Sequence, residues 1–169
     1  MGINQRSQIT MSDEEVAAFI DQSRVATMGT IGPDGRPHLV AMWYGVIDGA
    51  IWFATKAKSQ KLQNLLRDNR ITCSIEDGDT YDTLRGVSID GTAELTEDPE
   101  LMFKAGVSIY NRYNAPFTER DRPNVETMLH KRVAIRIDAQ RIRSWDHKKL
   151  GLPAAPVAGT TARYISQHR

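Results

Sequence analysis

Residues 24–44 read RVATMGTIGPDGRPHLVAMWY, and the rest of the chain falls into place around them. Val25 to Ile31 and His38 to Tyr44 are two short runs of small, β-branched and apolar residues. Between them lies Gly32-Pro33-Asp34-Gly35-Arg36-Pro37, in which proline presets the turn backbone and glycine accepts positive φ. The reading is a β-hairpin.

Moving outward, Asp48-Gly49 is a second tight-turn signal and Ala50 to Thr55 a returning strand, so three antiparallel strands are expected before residue 56. Lys58 to Asn69 places Leu62, Leu65 and Leu66 among polar residues as a short amphipathic helix. Strands are expected again at Ile71 to Glu76 and Gly86 to Leu95, joined through Asp77-Gly78-Asp79. Asp98-Pro99-Glu100 opens a helix through Tyr113, the stretch from Asn114 to Pro123 breaks it, Asn124 to His130 suits a further short helix, and Arg132 to Asp138 alternates as a last strand. Upstream, Ser12 with Glu15 three residues on forms a capping box for a helix ending near Ser23. The pattern is mainly β with helices, an α+β chain built on a six-stranded antiparallel sheet. Residues 1–151 are expected as a single domain, and residues 152–169, rich in Pro, Ala, Gly and Thr, as a weakly ordered tail.

The chain has 169 residues, enough for one domain with a real core, and its 40% hydrophobic and 25% charged composition is that of a globular protein. Its apolar stretches are far shorter than a bilayer crossing and its first ten residues too polar for a secretory signal, so a cytoplasmic location is expected, with no membrane partner. A single cysteine, Cys73, cannot form an internal disulfide, and there is no Cys/His spacing for a metal. Redox work here needs a bound cofactor. The net charge of +1 gives no general attraction for nucleic acid, so an anion site has to come from local clustering.

Such a cluster stands where the third strand hands over to a helix. Thr55, Lys56, Lys58, Ser59 and Lys61 bring hydroxyls and ammonium groups to a helix N-terminus, whose free N–H groups and dipole favour a phosphate. The same lysines also read as solvated surface charge.

Taken together, the N-terminal helix, the strand Val-Ala-Thr-Met-Gly-Thr at 25–30, Asp34-Gly35-Arg36-Pro37-His38, and Thr55 to Leu65 with Ser59-Gln60-Lys61 and Asn64 resemble the pyridoxamine 5′-phosphate oxidase-like split-barrel superfamily. The segment Ser144-Trp145-Asp146-His147-Lys148-Lys149-Leu150 is most similar to the branch that uses the deazaflavin F420. The resemblance implies a split β-barrel homodimer with two cofactor sites in its interface grooves. It implies that Ser59, Gln60, Lys61 and Asn64 hold the cofactor phosphate with Thr55 and Lys58 nearby, and that Met42 and Trp43 border the ring system, largely through backbone groups. Flavin-phosphate oxidases of the superfamily usually carry a basic residue beside this lysine. The uncharged Gln60 therefore favours F420, with FMN as the alternative.

Trp145 suits either a cap on the barrel or a contact to ring or substrate. His147 reads as a solvated residue or a proton source, and Cys73 as a small buried hydrophobe. No Ser/His/Asp order, carboxylate pair or metal cluster stands out, and no catalytic residue is assigned. The function implied is reduction of an unsaturated organic acceptor, such as a quinone, enone or tetrapyrrole, by hydride from reduced F420. The rivals are an FMN-dependent oxidase and a non-catalytic flavin- or haem-binding module on the same fold. Tyr110 to Pro123 is the stretch expected to border the substrate cleft.

Overall fold

A computed structural model describes residues 5–155. Helix α1 (Gln5–Ile9) leads into α2 (Asp13–Gln22), whose N-cap Ser12 accepts from the Glu15 amide while the Glu15 carboxylate accepts from the Ser12 amide. Then come β1 (Ala26–Ile31), β2 (Pro37–Met42), β3 (Gly45–Ile47), β4 (Ala50–Lys56), α3 (Gln60–Arg67), β5 (Arg70–Asp77) and β6 (Arg85–Thr96). Helices α4 (Pro99–Tyr113) and α5 (Arg122–Leu129) precede the long β7 (Arg132–Asp146). All strands belong to one antiparallel sheet in the order β2-β1-β5-β6-β7-β4-β3.

The first hairpin is as expected, with Ala26 paired to Met42 and Ile31 to Pro37. The second is not. A strand continuing through Tyr44 was expected to pair with Ala50 to Thr55, but β2 ends at Met42 and the partner of β4 is a separate three-residue strand, β3, turned by Asp48 and Gly49 at φ 52° and 77°. The sheet has seven strands in place of six for this reason. β2 and β3 lie at opposite edges of the sheet yet only Trp43 and Tyr44 separate them. With consecutive Cα atoms about 3.8 Å apart, so short a link forces the sheet to curl until its edges meet, which makes the split barrel.

Tyr44 fastens this seam. It is fully buried, its hydroxyl donates to the Ile20 carbonyl at 2.6 Å with the Ser23 carbonyl at 3.1 Å, and its amide donates to the Tyr113 hydroxyl instead of to a strand. Burial pushes its phenol up to about 12. The Arg112 guanidinium lies 4.5 Å from the Tyr44 ring centroid and donates to the same Ile20 and Ser23 carbonyls. The open C-terminal carbonyls of α2 are thus supplied with donors and a compensating cation.

Phe19 and Ile20 of α2 plug the barrel against Met28, Phe53, Ile75, Val87 and Ile135. Cys73 is sealed in this core, and burial pushes its thiol up to about 12. Helices α4 and α5 pack outside, over Ala54. Ser108 of α4 stands in for a strand beside β3, accepting from the Val46 amide and donating to the Val46 carbonyl, both at 2.9 Å. The last strand was expected to stop at Asp138. It runs to Asp146 because a register shift at Asp90/Gly91 bends β6 and β7 together and lets the pairing continue. The expected tail falls mostly on residues 156–169, outside the described residues.

Tyr44→Phe keeps the ring and removes the seam's hydroxyl. It is expected to lower unfolding free energy by about 1–2 kcal/mol with an unchanged denaturant slope, read by urea titration.

Candidate functional site

The bend between β4 and α3 is held from three sides. Its backbone is fixed by the Ala57 amide, which donates to the Lys131 carbonyl at 3.0 Å, and by the Ser59 amide on the Lys56 carbonyl at 2.9 Å. Ser59 is the N-cap of α3, and its hydroxyl lies 3.1 Å from that of the buried Thr55. Gln60 donates through Nε2 to Oδ1 of Asn64 at 2.8 Å, and Nδ2 of Asn64 donates to the Thr30 hydroxyl at 3.0 Å. Asn64 and Thr30 are both buried. Asn64 was expected to hold the phosphate directly, but it is fully buried with both amide ends engaged, so it fixes the register of α3 on β1 and aligns Gln60.

Lys58 is exposed and Lys61 half-buried on the solvent side of this bend. Burial, with the neighbouring Arg132 charge second, lowers the Lys61 pKa. Arg132 opens β7 opposite Lys56 and donates to the Ala54 carbonyl at 3.1 Å. Among the described residues no carboxylate pairs with Lys56, Lys58, Lys61 or Arg132. Two cations that repel one another beside a helix N-terminus form a place where an anion lowers the energy of both.

From Arg132 a groove of about 360 Å³ runs along Met42, Trp43, Ala54, Ile109 and Met128. One end is cationic and the walls are apolar, which suits a ring system carrying a phosphate. Trp43 is 57% exposed. Its ring lies parallel to that of Tyr113, with centroids 4.2 Å apart and planes 8° apart. The Tyr113 hydroxyl donates to the Arg24 carbonyl, so the stack is tied at its base. Trp43 also continues an outward-facing row on the edge strand β2, with Leu39 and Ala41 exposed beside it.

Of the residues singled out from sequence, Thr55, Lys58, Ser59, Gln60, Lys61 and Asn64 come together at the bend, and Met42 and Trp43 line the adjoining groove. Trp145 stands apart from them. It lies in β7 near the opposite end from Arg132, paired with Gly86, where a glycine Cβ would come within 2.3 Å of the indole. His147 turns its Nδ1 to the Tyr81 carbonyl at 2.8 Å. Arg132 and the Trp43–Tyr113 stack were not anticipated as parts of the site, although the stretch expected to border a cleft does include Tyr113. Arg132 was visible only as the first residue of a strand, and strand neighbours are not written in local sequence.

Among the described residues no three His, Cys, Asp or Glu side chains cluster as metal ligands, and no helix is long and apolar enough to cross a membrane.

The family model described as "Pyridoxamine 5′-phosphate oxidase" matches residues 12–146. A Mycobacterium tuberculosis protein, strain CDC 1551 / Oshkosh, described as "F420H(2)-dependent biliverdin reductase", is 27% identical over 136 residues, covering 79% of this chain and 88% of that one. The crystal structure of a conserved hypothetical protein from Mycobacterium tuberculosis is 57% identical with a TM-score of 0.90, covering 94% of this chain and 99% of that one. A structure described as "F420 Reductase" shares the fold at 24% identity and a TM-score of 0.58, covering 78% of this chain and 98% of that one.

If the paired cations form an anion site, millimolar inorganic phosphate raises the melting temperature of the wild-type protein by binding the native state. The double variant Lys61→Ala/Arg132→Leu is expected to lose that increment in the same thermal scan.

Proposed function

The chain belongs to the pyridoxamine 5′-phosphate oxidase family, and on that premise we propose that it is an F420H2-dependent reductase of an unsaturated organic acceptor such as a quinone, enone or tetrapyrrole. The observation that carries the reading is the carboxylate-free pair Lys61 and Arg132, of which Arg132 lines one end of an apolar groove. The relative whose name gives an F420H(2)-dependent biliverdin reductase supports the choice of cofactor. The uncharged Gln60 beside Lys61 favours it over FMN.

When bound in its reduced form, the deazaflavin supplies a hydride from its central ring carbon, which with a proton from water saturates a conjugated double bond. The chain's own residues bind and orient. Lys58, Ser59, Lys61 and Arg132 receive the phosphate, with the α3 N-terminus behind them. Thr55 holds the Ser59 hydroxyl in place, and Gln60 with Asn64 keeps α3 seated on β1. Met42 and Trp43 border the ring largely through backbone groups, which leaves the Trp43 indole uncommitted, and the apolar groove excludes water from the ring face.

The working unit in this reading is a homodimer with its cofactor sites at the interface. The exposed Leu39 and Ala41 side chains on the edge strand β2, beside the groove, support it. Trp145 enters a site only where the far end of β7 in one protomer meets the lysine bend of the other. A dimer arranged in that way unites all the residues expected to bind cofactor.

The test is a titration of the purified protein with F420 and, separately, with FMN, followed by absorbance. Saturable F420 binding with weak or no FMN binding is expected, and tight FMN binding with no response to F420 overturns the assignment. Lys61→Ala is expected to weaken F420 binding by about 1.5–3 kcal/mol, the range for a charge-assisted hydrogen bond. An unchanged dissociation constant removes Lys61 from the site.

A further inference from the structure

The Trp43–Tyr113 pair has a geometry that the binding of a phosphate-bearing ring does not require. Trp43 is the residue at which the chain leaves β2 for the barrel seam, and a tryptophan there could have turned inward, as Tyr44 does one residue later. It remains 57% exposed with one ring face covered by Tyr113 at 4.2 Å and the planes 8° apart. Tyr113 cannot swing away freely, since its hydroxyl donates to the Arg24 carbonyl and accepts from the Tyr44 amide. Both of those partners belong to the junction of α2, β1 and the seam. The indole is therefore held at a fixed angle with its second face open at the groove that Met42, Ile109 and Met128 line.

We infer that Trp43 is a specificity-determining residue whose open ring face stacks on a planar, conjugated, polycyclic acceptor. This inference rests on the proposed reductase function and narrows its substrate class. A rigid aromatic wall is attractive to any flat π-system of comparable area, and little ordering cost remains because the protein has already fixed the indole. A small or puckered acceptor with the same reacting double bond covers too little of the ring to gain from it. The Met128 and Met42 side chains beside it add soft, adaptable contacts without dictating a polar pattern. Selection by flatness and ring area follows, in place of selection by hydrogen-bond readout.

The experiment compares menadione, a planar bicyclic quinone, with cyclohex-2-enone, which carries a conjugated carbonyl on one puckered ring. Each is titrated calorimetrically into wild type, Trp43→Ala and Trp43→Phe, both without cofactor and after saturation with F420. Trp43→Ala is expected to weaken menadione binding by about tenfold, the effect of losing one stacking partner, with cyclohex-2-enone changed less than twofold. Trp43→Phe retains most of the menadione affinity, which loss of folding would not allow. Menadione affinity unchanged in Trp43→Ala, or both acceptors weakened alike, overturns the inference. Failure of F420 to bind wild type overturns the deazaflavin reading instead, and the stacking role is still decided by the menadione titrations without cofactor.

Discussion

The two-residue link between β2 and β3 is the constraint from which the architecture follows. A sheet whose opposite edges are consecutive in the chain has no open form, so the strands between must curve and β6 and β7 must bend at their shared irregularity. The seam is costly in backbone hydrogen bonds, because Trp43 and Tyr44 belong to no strand. Tyr44 meets that deficit with its own amide and hydroxyl, and Arg112 supports it from α4. One consequence is that α2, α4 and the closing link are tied at a single point. The groove is bounded by that same link, so the precision of its aromatic wall comes from the closure of the barrel.

The cationic bend depends on a different economy of charge. Several basic side chains elsewhere on the surface find partners: Arg70 with Asp68, Arg136 with Glu94, Arg122 with Glu119. At the start of α3 they do not, and the Lys61 pKa is lowered first by burial and second by the Arg132 charge. The hydroxyl pair of Thr55 and Ser59 with the Gln60–Asn64–Thr30 chain shows how much of the local structure serves to hold the bend's shape.

Much of this was legible in the sequence because its signals are local. The capping box at Ser12, the Pro33-Asp34-Gly35 turn and the helix opened by Asp98-Pro99 each act within a few residues, and each appears where expected. The gathering of Thr55, Lys58, Ser59 and Lys61 at the start of α3 was legible for the same reason. The seam was not, because residues 38–44 alternate as one strand and only tertiary pairing of Tyr44 with α2 interrupts them. Arg132 and Tyr113 were hidden by distance in the chain, since each meets the bend or Trp43 through folding alone. Trp145 was read as following the last strand, whereas a bulge carries β7 past it.

The sole cysteine offers a practical consequence of its setting. Cys73 sits between β1 and β6 with no solvent access and a thiol held far from ionisation, so alkylating reagents at neutral pH find nothing to modify until the central strands separate. Its labelling rate is then a clock for global opening, intrinsic to the wild-type chain and blind to fluctuations of the groove. A ligand that seats on the native state slows that clock in proportion to its occupancy, which turns one buried sulfur into a calibration-free gauge of binding.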